Sequence, residues 1–333
     1  SQPFTGLPAT CCLNFNLLKF LLDSGYTVAL INPITTDMTR KMQLGATKDD
    51  DLDAQLICDV LASNQRRKGY RISKIDSFDL YEQKRLTREH HDLKEQLNVY
   101  TNKLQKCIDI VFPEFNSLFR SKYGSVYMNV LKTFGSADSI AHADIRNIRK
   151  CFEANRKGRR ISLTPEELKE AARNSIGFPS KAEVIELRHL IDIIELINVQ
   201  ISEVDKKIEE FSVQNNSPIL TIPGISHFSG TSILAELGDL RNYSKASQVI
   251  KFAGVSPSKY KSSQYEAQHT AITKKGSRYL RKTLYQVILP VIRYNPVFNA
   301  FYRHKLSQGK GHRCAQGHCV RKLLRIIYHL VTT

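Results

Sequence analysis

Apolar and polar positions change their period along the chain, and each change predicts a different kind of element. Phe15 to Leu22 is an apolar stretch at helical spacing that Gly25 closes. Tyr26-Thr27-Val28-Ala29-Leu30-Ile31 is then a β-branched and aromatic run of the kind found in a buried strand. Asn32-Pro33 stops the strand, and a second helix is predicted from near Asp49, carrying Leu52, Leu56, Val60 and Leu61 and ending ahead of Arg66-Arg67-Lys68-Gly69. The opening of the chain is therefore α/β in pattern.

From about Ser77 the period becomes a heptad. Leu93, Leu97, Tyr100, Leu104, Cys107 and Val111 follow one another at alternating separations of four and three residues, which is a coiled-coil seam. A second seam runs through Leu187, Ile191, Ile194, Ile197, Ile201, Val204, Ile208 and Phe211, and the two are expected to pair antiparallel or across subunits. Residues 113–180 read as a helical tip or insertion, with a helix start at Thr164-Pro165-Glu166-Glu167, where Thr can cap and Pro suits the first turn. After Asn215-Asn216-Ser217-Pro218 the pattern is compact again. Ile222-Pro223-Gly224-Ile225-Ser226, followed by Ser232 to Leu237, resembles a helix-hairpin-helix turn whose N–H groups can face a phosphate; Pro-Gly ahead of a helix is also ordinary turn chemistry.

Composition narrows the class. A 333-residue chain with 41% hydrophobic and 24% charged residues buries a real core and divides into two or three domains. No apolar run approaches the roughly 18 residues of a membrane span, and the front of the chain lacks a secretory pattern, so no membrane role and a cytoplasmic location are expected. Seven cysteines at irregular spacing argue against a disulfide framework. The first residue is Ser1 rather than Met, and a helix is predicted almost at once, so the chain is expected to begin inside a domain.

The charge is concentrated. Of 49 Lys and Arg residues, 18 lie between Arg241 and Thr333, where Glu266 is the only side-chain carboxylate; residues 1–240 hold 31 basic and 31 acidic side chains. The whole net charge of +17 thus belongs to the C-terminal part. Such a field serves a polyanion, of which nucleic acid is the commonest; ribosome-like packaging and membrane adsorption are the alternatives.

Three clusters could carry chemistry. Asp49, Asp50, Asp51 and Asp53 crowd a helix start, where acids complement the helix dipole; Asp50 and Asp53, three residues apart, also project close enough to share a hard cation. His312, Cys314, His318 and Cys319 invite a zinc reading, but on a helix at about 100° per residue they scatter around the axis, and buried or half-exposed thiols are expected instead. Ser262 and Ser263 lie in a loop-like stretch with Lys259, Lys261, His269 and Lys274 close by in sequence. A loop serine is usually just solvated; it becomes a nucleophile when a base, a metal or a strong field activates it.

Together these segments resemble the DEDD-type insertion-sequence transposases of the Piv/MooV group, the IS-one-ten family. The resemblance runs almost end to end. It is carried by Asn32-Pro33, by Lys48 to Ala54 with its paired aspartates, and by Phe112-Pro113-Glu114-Phe115. Toward the C-terminus it continues through Ile222 to Ile225, Ala253-Gly254, Pro257, Ser262, Lys274 to Gly276, Arg278 to Arg281 and Arg321-Lys322-Leu323.

The fold that this resemblance implies is α/β plus mainly α. It comprises a partial RuvC-like (RNase H-like) domain over 1–75, a helical coiled-coil linker with an insertion over 76–215, and a basic, mainly helical C-terminal transposase domain over 216–333. Asp50 and Asp53 correspond to the last two acids of a metal-binding tetrad using Mg2+ or another divalent ion. Ser262 corresponds to a serine that attacks a DNA phosphodiester and holds the strand as a phosphoserine. Gly224, Lys259, Lys261, Lys274, Lys275, Arg278 and Arg281 are the expected nucleic-acid contacts. Double-stranded DNA, a guide RNA encoded by the same element and further copies of the chain, as a dimer or tetramer, are the implied partners.

Two departures stand against full activity. The tetrad's first Asp lies on an early strand that the chain is expected to lack, and the Glu position is held by Pro8, which has no side-chain ligand atom. The usual Gly after the serine is Ser263. The alternatives are a decayed remnant that binds nucleic acid and oligomerises without strand transfer, and a junction nuclease that uses water in place of Ser262.

Overall fold

The structure is a computed structural model that describes residues 4–8, 13–31, 37, 50–63, 70–72, 77–154, 162–258, 261–262, 265–266 and 271–333. Two compact units divide at Gln83 and Lys84.

In the first unit, β1 (Phe4–Pro8), α1 (Leu13–Asp23) and β2 (Thr27–Ile31) form a β-α-β segment, with β1 and β2 parallel in register from Phe4↔Thr27 to Pro8↔Ile31. On the other side of β2 lies β3 (Tyr70–Ile72), antiparallel. Val28, Ala29 and Ile31 are fully buried, as the continuous apolar run of a central strand requires. Leu7, Leu18, Leu22 and Val28 form a small core under α1. The helix α2 (Asp50–Ser63) packs on β1 at Gly6, where a Cβ would stand 2.6 Å from Leu61 and 2.8 Å from Ile57. Phe15 of α1 stacks on Tyr81 at 4.2 Å and meets the edge of Phe78 at 5.0 Å, both from the start of α3 (Ser77–Val111).

The predicted helices at the front are present, α1 two residues longer at its start than expected and α2 described from Asp50, close to the predicted start. Strand β1 was not predicted. Its five residues, Phe-Thr-Gly-Leu-Pro, include a Gly and a Pro that dilute the strand signal, and only pairing along β2 makes them extended. Asn32-Pro33 and Lys48-Asp49 lie outside the described residues.

The second unit contains two cores. Helix α3 starts at the predicted Ser77, and its seam residues share apolar clusters with those of α9 (Lys181–Asn215) in antiparallel order. Leu93 lies with Ile197 and Ile201 at one end, and Leu104, Ile108 and Val111 with Leu187, Leu190, Ile191 and Ile194 at the other. Between the two long helices come α4 (Phe115–Leu118), α5 (Ser125–Phe134), α6 (Ala137–His142), α7 (Ile145–Glu153) and α8 (Pro165–Arg173), which close the first core around Phe115, Tyr127, Ile148 and Leu168. Thr164 caps α8 in a full capping box: its hydroxyl accepts from the Glu167 N–H, and the Glu167 carboxylate accepts from the Thr164 N–H at 2.8 Å. Burial holds the Cys107 thiol up at about 11, with Glu186 and Glu183 adding to the effect, so this cysteine is an inert core group.

The second core is C-terminal. A 3-10 turn at Pro218–Thr221 leads into α10 (His227–Leu237), then α11 (Ala246–Phe252), the hairpin strands β4 (Lys261–Ser262) and β5 (Tyr265–Glu266), and three helices, α12 (Arg278–Tyr294), α13 (Pro296–Ser307) and α14 (His312–Thr332). Cys319, Val320, Leu323, Leu324 and Ile327 of α14 are fully buried against Leu280, Leu284, Ile288 and Val291 of α12 and Val249 of α11. Among the described residues no helix is long and apolar enough to cross a membrane.

Candidate functional site

Two segments with no helical period of their own pair to form the stem that leads to the candidate serine. The chain leaves α11 through Ala253-Gly254, both buried, and runs alongside the segment that returns to α12. The pairing is continuous: Ser258 N–H donates to the Ala271 carbonyl (2.8 Å), Pro257 bridges Ile272, Thr273 N–H donates to the Ser256 carbonyl (2.9 Å), and Lys274 N–H donates to the Gly254 carbonyl (3.0 Å). Two glycines permit the close approach at its base. A Cβ on Gly254 (φ +68°) would stand 2.4 Å from the Lys275 carbonyl oxygen, and one on Gly276 (φ +133°) would stand 2.2 Å from that of Phe252. Beyond the stem, β4 and β5 pair Lys261 with Glu266 and Ser262 with Tyr265. Ser262 is thus on a hairpin strand rather than in an unpaired loop; its side chain lies outside the described set.

The arginines near this stem hold backbone and neighbouring helices. The Arg281 Nη1 donates to the Gly276 carbonyl at 2.9 Å, and the Arg321 Nη1 donates to that of Val255 at 3.4 Å. Arg278 donates to the Tyr279 hydroxyl (2.9 Å), which itself donates to the Asp92 carboxylate (2.8 Å) on α3. Gly224, at φ +97°, sits where a Cβ would meet the Val291 nitrogen at 2.7 Å and the Pro290 carbonyl carbon at 2.8 Å, so the contact visible for it is close packing on α12. Lys274 and Lys275 are exposed at the turn, Lys274 with φ +53°. Lys259 lies outside the described residues, as does the Lys261 side chain.

A buried polar contact that sequence reasoning did not find fastens this core to α3. Glu236 of α10 is 2% exposed, and its carboxylate accepts two bonds from the Arg88 guanidinium, at 2.6 and 3.1 Å. Burial pushes that carboxyl up, but Arg88, the charge of Lys84 and a bond from Ser277 outweigh the effect and hold it below its ordinary value. Beside it, His91 Nε2 lies 2.9 Å from the Thr283 hydroxyl, which is 3.1 Å from that of Ser232. Phe228 stands against both His90 and His91, at 4.1 and 5.2 Å. Burial, with Lys282 and His90 nearby, lowers the His91 imidazole to about 4. No periodic pattern marks these residues, because partners such as Arg88 and Glu236 are 148 positions apart.

The acidic candidates belong to the first unit. Asp50 opens α2 and Asp53 stands one turn further on, half-buried; the Asp50 side chain lies outside the described set. Pro8 ends β1 opposite Ile31. A divalent ion needs a convergent set of oxygen donors. Among the described residues no group of three or more His, Cys, Asp or Glu side chains is arranged to hold one, so the described side chains do not supply that set. The C-terminal His/Cys group is dispersed in the same way, with Cys319 buried, Cys314 exposed and His312 Nδ1 2.6 Å from the Tyr302 hydroxyl.

Models of one class of protein, transposases, fall on both ends of the chain. One, described as Transposase IS116/IS110/IS902 family, matches residues 216–303, which contain the whole hairpin stem; the other, a DEDD transposase model of the IS110 type, matches residues 5–113. The chain belongs to the IS110/IS116/IS902 transposase family. It is also 28% identical over 147 residues to the pilin gene-inverting proteins of Moraxella bovis and Moraxella lacunata, over 44% of this chain and 45% of each relative. The match thus spans less than half the length of these curated relatives.

Proposed function

We propose that the chain is a DNA transposase or site-specific recombinase of a bacterial insertion sequence, with Ser262 as its nucleophile. In this reading the Ser262 oxygen bonds to the phosphorus of a DNA phosphodiester, a deoxyribose oxygen leaves, and the strand is held as a phosphoserine. The observation that carries the proposal is the hairpin stem. Ala253-Gly254, Pro257 and Lys274 to Gly276, motifs separated by up to some twenty positions, interlock through backbone contacts that no side chain could replace, and the strand they support bears Ser262. A stem anchored in this way supports a strand that carries a nucleophile toward a phosphate. The positive charge of residues 241–333 stabilises an oxyanion developing there.

Asp50 and Asp53 are the two carboxylates proposed to face a divalent ion such as Mg2+, which in the family neutralises phosphate charge. A guide RNA encoded by the same element and a homo-oligomer belong to the same proposal through the family resemblance. Ser262→Ala is the test. On a DNA end cognate to the element, the wild-type chain should form a covalent protein–DNA adduct that the variant loses with DNA binding retained. An adduct of unchanged yield in the variant removes Ser262 from the mechanism.

A second reading is favoured by Pro8, which ends β1 at the position the resemblance assigns to the tetrad Glu. In it the chain is a catalytically decayed copy that still binds nucleic acid and oligomerises. Metal-dependent strand transfer by this chain would overturn that reading; salt-sensitive DNA binding without any adduct would support it.

A further inference from the structure

Three of the residues that the motifs mark for DNA contact also make contacts within the protein: Arg278 with Tyr279 and Asp92, Arg281 with Gly276, Gly224 with α12. A further group of cations lies in and between the last two helices. Residues 296–333 contain Arg303, Lys305, Lys310, Arg313, Arg321, Lys322 and Arg325 and not one Asp or Glu. On α14, His318, Arg321 and Arg325 stand at i, i+3 and i+7, one stripe along the helix, opposite to the buried Val320, Leu323 and Ile327. The helix α13 supplies Lys305 beside this stripe, and the Gly309-Lys310-Gly311 turn supplies Lys310, with open space around both glycines. The proximity of these groups registers on His318, which burial and the charges of Arg321, Lys305 and Lys310 hold below its ordinary value.

The stripe leads to the hairpin. Arg321 reaches from it to the Val255 carbonyl, the first residue past Gly254 on the strand side of the stem that continues to Ser262. Lys322, one position on, lies over Phe298 and Phe301 at 5.3 and 4.6 Å, which ties α14 to α13; along the stripe Cys314 and Arg325 are exposed and His318 and Arg321 half-buried. Because uncompensated cations on a rigid helix at one-turn spacing match a run of phosphates, the partner class is a nucleic-acid backbone. Because the run ends at the stem of the candidate nucleophile, the strand it holds is the one to be cut, which is DNA.

We infer that the outer face of α14, with Lys305 and Lys310 beside it, is a sequence-independent binding surface for the phosphodiester backbone of duplex DNA. The choice of DNA rests on the proposed role of Ser262; the charge argument does not. Replacing Lys305, Lys310 and Arg325 together by Gln removes three charges at surface positions. Duplex binding by the full chain should weaken at least tenfold at moderate salt, and the slope of log affinity against log salt should fall by roughly 2–3, close to 0.9 per phosphate contact. The loss should be equal for unrelated sequences. Lys181→Gln, Lys206→Gln and Lys207→Gln on α9 remove as much charge and should leave the slope in place. Bound duplex should also slow alkylation of Cys314, an exposed thiol on the same stripe.

An unchanged slope in the first triple variant, or an equal loss in the second, overturns the inference. A slope that falls for single-stranded or structured RNA but not for duplex DNA overturns the choice of partner. Failure of the Ser262 proposal would look different: the Ser262→Ala protein would keep its adduct, while the charge variants would still lose duplex binding.

Discussion

The two cores of the second unit are built on different principles. The one closed by α4 to α8 is apolar throughout its centre, around Phe115, Tyr127, Ile148 and Leu168, and its polar devices, such as the Thr164 capping box, sit at helix ends in water. The C-terminal core is apolar around α14, but where it meets α3 it buries Glu236, bonded to Arg88, and a chain of His91, Thr283 and Ser232. An apolar core tolerates many packings of similar volume, whereas a buried carboxylate has one acceptable partner geometry. The polar contact therefore sets the angle and register at which the long helix meets the domain that carries the hairpin.

Breaking the buried pair should have the largest effect on stability. Glu236→Ala leaves Arg88 facing a buried gap, and since that guanidinium keeps about a third of its surface exposed, the cost should be roughly 3–4 kcal/mol rather than the upper end for a buried pair. Urea unfolding of the full chain measures it. The paired replacement Arg88→Met with Glu236→Leu should recover most of the loss, and a double variant as unstable as Glu236→Ala would show that the contact acts through something other than charge.

Acid should separate the two cores next. His91 has an ordinary value of 6.5 and a folded value of about 4, so between these the unfolded chain holds a proton that the folded chain does not. Stability is full above pH 6.5, falls as pH drops through that window, and flattens below 4. From pH 7 to 5 the loss should be about 2 kcal/mol. His90 is also lowered, by burial and by Lys94 and Lys282 against the opposing Asp205, and so acts in the same direction. His91→Gln should flatten this part of the pH profile. A slope equal to that of the wild-type chain would place the acid sensitivity outside this contact.

The smallest effect is expected in the apolar core's periphery. Thr164→Ala removes a hydroxyl that accepts from the Glu167 N–H and should cost about 1 kcal/mol with no pH dependence between 5 and 7. A change in the His91-linked pH profile in this variant would mean that the two cores are coupled more closely than their separate construction suggests.

Legibility in the sequence followed the range of the interaction. The start of α3 at Ser77, the extent of α9 and the Thr164 cap all arise within a few residues of one another, and each was predicted close to where it is found. Ser262 was assigned to a loop because the stretch around it has no strand period; it is in β4 because Tyr265 and Glu266 pair back along Ser262 and Lys261. Arg278 and Arg281 were marked by the family motif, which does not record that their guanidinium groups also bond a tyrosine hydroxyl and a backbone carbonyl.

By itself, then, the sequence determined where the helices run, that two long ones carry matched apolar seams, and that the net charge of +17 resides in residues 241–333. Those properties depend on periodicity and composition, which neighbouring residues set. Only the tertiary structure decided that Gly254 and Gly276 clasp the hairpin stem, that Glu236 is held by Arg88, and which cations are left facing outward on α14. Each of those depends on backbone or side-chain atoms brought within about 3 Å across tens to hundreds of positions, or on their being left without such a partner, and no local pattern records either.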